Sequence, residues 1–180
     1  VIFSMFGYGL PKTVEQILIK LQQQIVNKPY EIRLIGNMPS KLLNYRNVVG
    51  PLKPGQMSRK EMERMNAPVH YQLILYPEDS YELSVSGSIF EAISASKPII
   101  HLCNPCINHY NSDHLPIGYC ERDVDGITRR ILDIIQNNSH HAQEYMQFHQ
   151  NLQKLQKNYS PRATADRLVE IYSVTRLLSQ

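Results

Sequence analysis

The chain has 180 residues, 42% of them hydrophobic, enough to bury one core with a helical extension and too few for two full domains. Its formal net charge of +3 falls far short of the dense basic face that nucleic-acid binding requires, although a mildly basic surface is compatible with peripheral association with an anionic membrane. No run approaches the roughly 18 apolar residues of a membrane span, and three cysteines, Cys103, Cys106 and Cys120, make no disulfide framework; buried, reduced thiols in a reducing cytoplasm are therefore expected.

Residues 1–5 predict a first strand with no charged leader before it, which suggests a fragment of a longer, two-domain protein. The turn Phe6-Gly-Tyr-Gly-Leu-Pro11 follows. A helix is expected from about Thr13, whose spacing to Gln16 fits a capping box, with Val14, Ile17, Leu18, Leu21 and Ile25 on one face and an end near Asn27. Residues 31–35 and 47–50 predict the second and third strands. Ser58 and Glu61 repeat the capping-box spacing, opening a short helix through Met62 and Met65 that must end before Pro68. Residues 72–76 predict a central strand stopped by Pro77, then an irregular loop over 78–82 and a helix ending near Ser96.

Lys97-Pro98 leads into Ile99-Ile-His-Leu102, a β-branched run of the kind found in a buried parallel strand. After an irregular segment over 103–116, residues 117–120 form a last short strand. Residues 123–137 are helical, with Ile127, Ile131, Ile134 and Ile135 on one face and Asp123 and Asp125 at the favourable N-terminal end. An exposed helix over 140–157 then covers the sheet edge. Ser160-Pro161 opens a final helix carrying Leu168, Val169, Ile171 and Tyr172. The expected fold is α/β: a Rossmann-like, mostly parallel sheet with helices on both faces over about 1–137, and C-terminal helices over about 138–180.

In such sheets ligands bind beyond the carboxyl ends of the strands. Ser84, Ser86, Gly87 and Ser88 offer N-caps and allow close backbone approach, so the amides of the helix beginning there face an anion. Glu91 sits one turn further in; the plain alternative for it is a helix-surface carboxylate. Gly7 and Gly9 would let the first loop approach a diphosphate that Lys12 neutralises, the alternative being a tight turn beside a solvated lysine. Cys103, Cys106 and His109 have the composition of a zinc set, but no second pair follows, and the region after Cys106 reads as loop rather than as the helix that activates a redox thiol. No metal site is assigned.

The blocks Ser86-Gly-Ser-Ile-Phe-Glu-Ala92 and Lys97-Pro-Ile-Ile100 resemble the signature of the C-terminal, donor-binding domain of GT-B glycosyltransferases of the group 1 or family 4-like type. The resemblance extends over nearly the whole chain. It implies that Glu91 hydrogen-bonds the ribose of a nucleoside diphosphate sugar such as a UDP-sugar, that the amides at Ser86, Gly87 and Ser88 hold the diphosphate, and that Gly7, Gly9 and Lys12 lie beside it. The implied activity is transfer of a hexose-type sugar to a glycan or lipid-linked acceptor, as in polysaccharide biosynthesis. That acceptor would be held by an N-terminal domain absent from this chain, which would bind donor but turn over little alone. No metal or cofactor is required, because placement and helix amides stabilise the leaving diphosphate. Many retaining members carry an earlier acid, with seven residues between it and the second; here that position is Leu83, and Glu82, one residue before it, is the candidate sugar contact. A GT-B-fold epimerase and a non-catalytic nucleotide-binding or interaction domain remain as alternatives.

Overall fold

Six short runs rich in β-branched and aromatic residues pair into one sheet: β1 (Ile2–Phe6), β2 (Glu31–Ile35), β3 (Val48–Val49), β4 (Tyr71–Ile74), β5 (Ile99–Leu102) and β6 (Gly118–Glu121). Every pairing is parallel and the order is β3-β2-β1-β4-β5-β6. The computed structural model describes residues 1–6, 10–24, 28–51, 57–81, 84 and 86–178, with side chains described as far as residue 172. Its helices are α1 (Pro11–Gln22), α2 (Arg59–Asn66), α3 (Gly87–Ser94), α4 (Pro105–Asn108), α5 (Val124–Gln136), α6 (Ala142–Asn158) and α7 (Pro161–Leu178), with a 3-10 turn at Ser40–Asn44.

Successive residues of a strand point to opposite faces, and the core divides accordingly. Leu73 and Ile100 join α1 and α5 in one apolar cluster, while their neighbours Ile74 and Ile99 join Ile89 and Ile93 of α3 and Leu152 of α6 in another. A third, smaller cluster packs Met65 of α2 on Ile35 and Val69. Helices therefore cover both faces, as the sequence pattern predicts. Gly118 shows how tightly β5 and β6 meet: a Cβ at that position would lie 1.9 Å from the Ile99 carbonyl oxygen.

Several local expectations need correction. α1 starts at Pro11 with Leu10 as an N-cap that makes no side-chain bond, so Thr13 lies inside the helix and caps nothing. Proline at the first helical position loses no hydrogen bond and presets φ, which is why it wins over the capping box. The helix ends at Gln22, and residues 25–27, where its end was expected, lie outside the described residues. Within the segment expected to be irregular, Asn104 caps the single turn α4 by accepting from the Ile107 amide. α6 is more than an exposed cover: Phe148, Asn151, Leu152 and Leu155 are buried, with Phe148 edge-on to Tyr119 and Tyr145 edge-on to Tyr71. His149 and Gln156 extend that contact by bonding the carbonyls of Ser96 and Ser94 at the end of α3.

The expectation of buried, reduced cysteines also needs correction. Cys103 and Cys120 form a disulfide, with Cys120 exposed, and Cys106 is free and half-buried. The cause is strand register: His101 pairs with Cys120 in the parallel ladder, which brings the Cα atoms of Cys103 and Cys120 to 5.5 Å, a relation their separation in sequence does not reveal.

Candidate functional site

The strand order turns between β1 and β4, the two central strands, and the crevice beyond their carboxyl ends is where an open α/β sheet accepts ligands. α3 begins there. The Ser86 side chain caps it by accepting from the Ser88 amide (3.2 Å), and Ser88 ties the first turn to both strands. Its hydroxyl donates to the Phe6 carbonyl (3.1 Å) and accepts from Tyr76 (2.9 Å), while Gln72 donates to its carbonyl (2.8 Å). Ser86 and Ser88 are buried, so their hydroxyls build the helix start. What the helix offers outward is its backbone and the bare Cα of Gly87, where an added Cβ would meet nothing within 4 Å.

Two cavities adjoin this point. The larger, about 660 Å³, is lined by Phe6, Leu10, Tyr76, Pro77, Ser80, Tyr81, Ser84, Gly87, Ser88 and Glu91. The smaller, about 330 Å³, lies between α2 and α3 and includes Arg59, Met62, Glu63, Asn66, Lys97, Phe6 and Glu91. Phe6 and Glu91 belong to both. Glu91 thus stands between the two cavities one turn into α3, with its side chain 26% exposed and its carboxylate held by Arg59. Arg59 also pairs with Glu63 at 2.9 Å, and the hydrogen bond to Glu91, followed by that to Glu63, raises its guanidinium above its ordinary pKa. The far wall of the smaller cavity is fixed by Lys97, which donates to the Ala67 and Val69 carbonyls (2.8 and 2.7 Å) just past α2. Burial lowers the Lys97 pKa.

The structure thus brings together Ser86, Gly87, Ser88 and Glu91 of the sequence-predicted set. Lys12 is exposed in the first turn of α1 and lines neither cavity; Leu10 occupies that side instead. Gly7, Gly9 and Glu82 lie outside the described residues. Arg59, Tyr76 and Tyr81 are site-wall residues that the sequence did not single out. The capping signal at Ser58 places α2 correctly, yet nothing local says that Arg59 faces a carboxylate on another helix.

The cysteine and histidine segment is engaged elsewhere. His101 is fully buried, donates from Nδ1 to the Leu102 carbonyl (2.9 Å) and accepts at Nε2 from Asn111 (2.8 Å). Burial pushes its pKa down to about 4, so the ring is neutral. Among the described residues, no three His, Cys, Asp or Glu side chains are grouped to hold a metal ion, and no helix is long and apolar enough to cross a membrane.

No family model matches the chain, and no curated protein matches it in sequence. Solved structures do resemble it. It superposes on the C-terminal domain of a glycosyl transferase group 1 family protein from Francisella tularensis with a TM-score of 0.59 at 11% identity, over 88% of this chain and 85% of that one. On HepE of Anabaena, solved with UDP and glucose, the TM-score is 0.65 at 15% identity, over 96% of this chain and 48% of that one. For sucrose-phosphate synthase from Thermosynechococcus elongatus the TM-score is 0.67 at 13% identity, over 98% and 46%. The fold is therefore that of a Rossmann-like α/β domain, shared with the C-terminal domain of that glycosyl transferase and with part of the other two proteins. The chain spans about half the length of the latter two proteins.

Proposed function

We propose that this chain is the nucleotide-sugar donor-binding domain of a glycosyltransferase that moves a hexose-type sugar from a nucleoside diphosphate to a glycan or lipid-linked acceptor. The observation that carries this reading is the position of Glu91: a partly exposed carboxylate between two cavities, one turn from a helix start that opens onto the larger of them. A carboxylate there accepts from the vicinal hydroxyls of a ribose. The helix N-terminus at Ser86, Gly87 and Ser88 then faces the diphosphate with amides and the positive end of the helix dipole. Gly7 and Gly9 would complete the phosphate side, and Glu82 would contact the sugar. HepE, which shares the fold, was solved with UDP and glucose, in keeping with a UDP-type donor.

In this reading the whole of 1–180 is one donor-binding unit, a core over about 1–137 followed by helices, and an N-terminal domain of the longer protein brings the acceptor. The chain alone binds donor and turns over little. Catalysis consists of holding the donor in line for attack and stabilising the charge on the departing diphosphate with fixed backbone dipoles, which needs neither metal nor cofactor. Peripheral association with a membrane, when the acceptor is lipid-linked, fits the mild basic charge.

Calorimetric titration with UDP, GDP, dTDP and ADP tests this directly. One diphosphate should bind, and Glu91→Ala should weaken it by about 1 to 3 kcal/mol, the cost of losing a charged hydrogen-bond acceptor. Absence of binding by all four, or affinity that ignores Glu91, overturns the reading.

A further inference from the structure

We infer that Tyr81 contacts the transferred sugar of the donor and that Asn104 is the positioning residue holding Tyr81 in place; the inference rests on the donor-binding reading above. Three observations meet at this tyrosine. First, its backbone φ is 67°, in the left-handed region that a residue with a bulky side chain rarely adopts, so the surrounding structure must hold it there. Second, the hold is visible. Asn104 is fully buried, and its amide nitrogen donates to the Pro77 carbonyl at 2.7 Å and the Ser80 carbonyl at 2.9 Å, while its oxygen caps α4 at Ile107. One side chain thus fastens the turn over 77–81 to the helix behind it. The Tyr81 ring packs edge-on against Tyr76, with centroids 4.6 Å apart.

Third, Tyr81 stands where a sugar has to be. A nucleoside diphosphate sugar is a linear molecule, with the nucleoside at one end, the sugar at the other and two phosphates between. The 660 Å³ cavity has the same order of features. Glu91, shared with the α2 cavity, marks one end; Gly87 and the α3 start lie in its wall; Ser80 and Tyr81, shared with a further cavity of about 340 Å³ against α4, mark the other. With ribose at Glu91 and diphosphate at the helix start, the sugar extends toward Tyr81. An aromatic ring is a favourable surface for the C–H face of a pyranose. Because Tyr81 is also the wall between this cavity and the one lined by Cys106 and His109, its ring limits how far the sugar reaches.

The test compares each free diphosphate with its sugar donor in paired calorimetric titrations: UDP and UDP-glucose, GDP and GDP-mannose, ADP and ADP-glucose, dTDP and dTDP-glucose. The quantity read is the affinity that the sugar adds. Tyr81→Leu, which keeps bulk but loses the ring, should reduce that gain by about 5- to 10-fold while free diphosphate affinity stays within about twofold. Tyr81→Phe should retain the gain. Asn104→Asp preserves the oxygen that caps α4 and loses the amide that clamps the turn, and it should reduce the gain as Tyr81→Leu does. A sugar that adds nothing in the unaltered chain, a gain unmoved by Tyr81→Leu, or equal loss for diphosphate and donor would each overturn the inference while leaving diphosphate binding in place. Failure of every diphosphate to bind the unaltered chain overturns the donor-binding reading itself, and this inference with it.

Discussion

Gly87 and Gly118 stand in regions with opposite demands. At Gly118, between β5 and β6, a methyl group would collide with a strand carbonyl; at Gly87, at the mouth of α3, it would meet nothing. Both positions carry glycine, for different physical reasons. The β5–β6 pair needs a missing side chain so that two strands can meet, whereas the helix mouth has room for one, so packing gives no reason for its absence. The difference separates a glycine that strand pairing requires from one that packing does not require. It also shows that composition alone cannot assign a glycine to either group.

The largest effect expected from this contrast is at Gly118. Gly118→Ala must push β6 away from Ile99 or break the pairing of Ile99 with Gly118, at a cost of about 3 kcal/mol, the upper end of the usual range for forced overpacking, because the clash is with backbone. Urea unfolding reads this directly, and a variant as stable as the parent would mean that the strands are not paired in this register.

The closed region has a second signature, its pH dependence. His101 is buried beside the same strand pair, and its folded pKa of about 4 lies below the ordinary 6.5. Between those two values the unfolded chain takes up a proton that the folded chain refuses, so stability contributed by neutral His101 is complete above pH 6.5 and is lost as pH falls toward 4. The shift corresponds to about 3 kcal/mol across that window. Unfolding free energies measured between pH 4 and 7 should rise with pH, and His101→Gln should flatten the rise. A rise equally steep in the parent and in His101→Gln would show that His101 takes up its proton alike in the folded and unfolded chain.

How much of this could be read from the sequence follows the same division. The α3 start was legible, because serines, a glycine and a following acid are local signals and the helix uses them locally. So were the apolar faces of α1 and α5, whose period matches their burial. Relations between distant segments were not legible. The Arg59 contact with Glu91 joins two helices, Asn104 reaches back over the turn at 77–81, and the disulfide depends on the register of β5 on β6. The burial of α6 was missed for a related reason: its stripe is thin in sequence, and its partners Tyr71 and Tyr119 are supplied by β4 and β6. Within the candidate site, sequence reasoning found the helix whose start lines the larger cavity and missed the other walls around it.

The smallest expected effect on stability is at Gly87, and it divides the two regions most sharply. Replacing a glycine in the first turn of a helix with alanine removes freedom from the unfolded chain, and the structure leaves room for the methyl group, so Gly87→Ala should be as stable as the parent or more stable by up to about 1 kcal/mol. Gly87 lines the 660 Å³ cavity at the backbone that would approach the diphosphate, so an added methyl group should lower diphosphate affinity in the same variant. Stability and binding would then move in opposite directions on one substitution, which a purely structural glycine cannot produce. Thermal unfolding with and without the bound diphosphate measures both at once: the free variant should melt no lower than the parent, and the upward shift given by ligand should shrink. A free variant that melts well below the parent would return Gly87 to the same class as Gly118, and the open mouth of α3 would lose its meaning as a place left clear for a ligand.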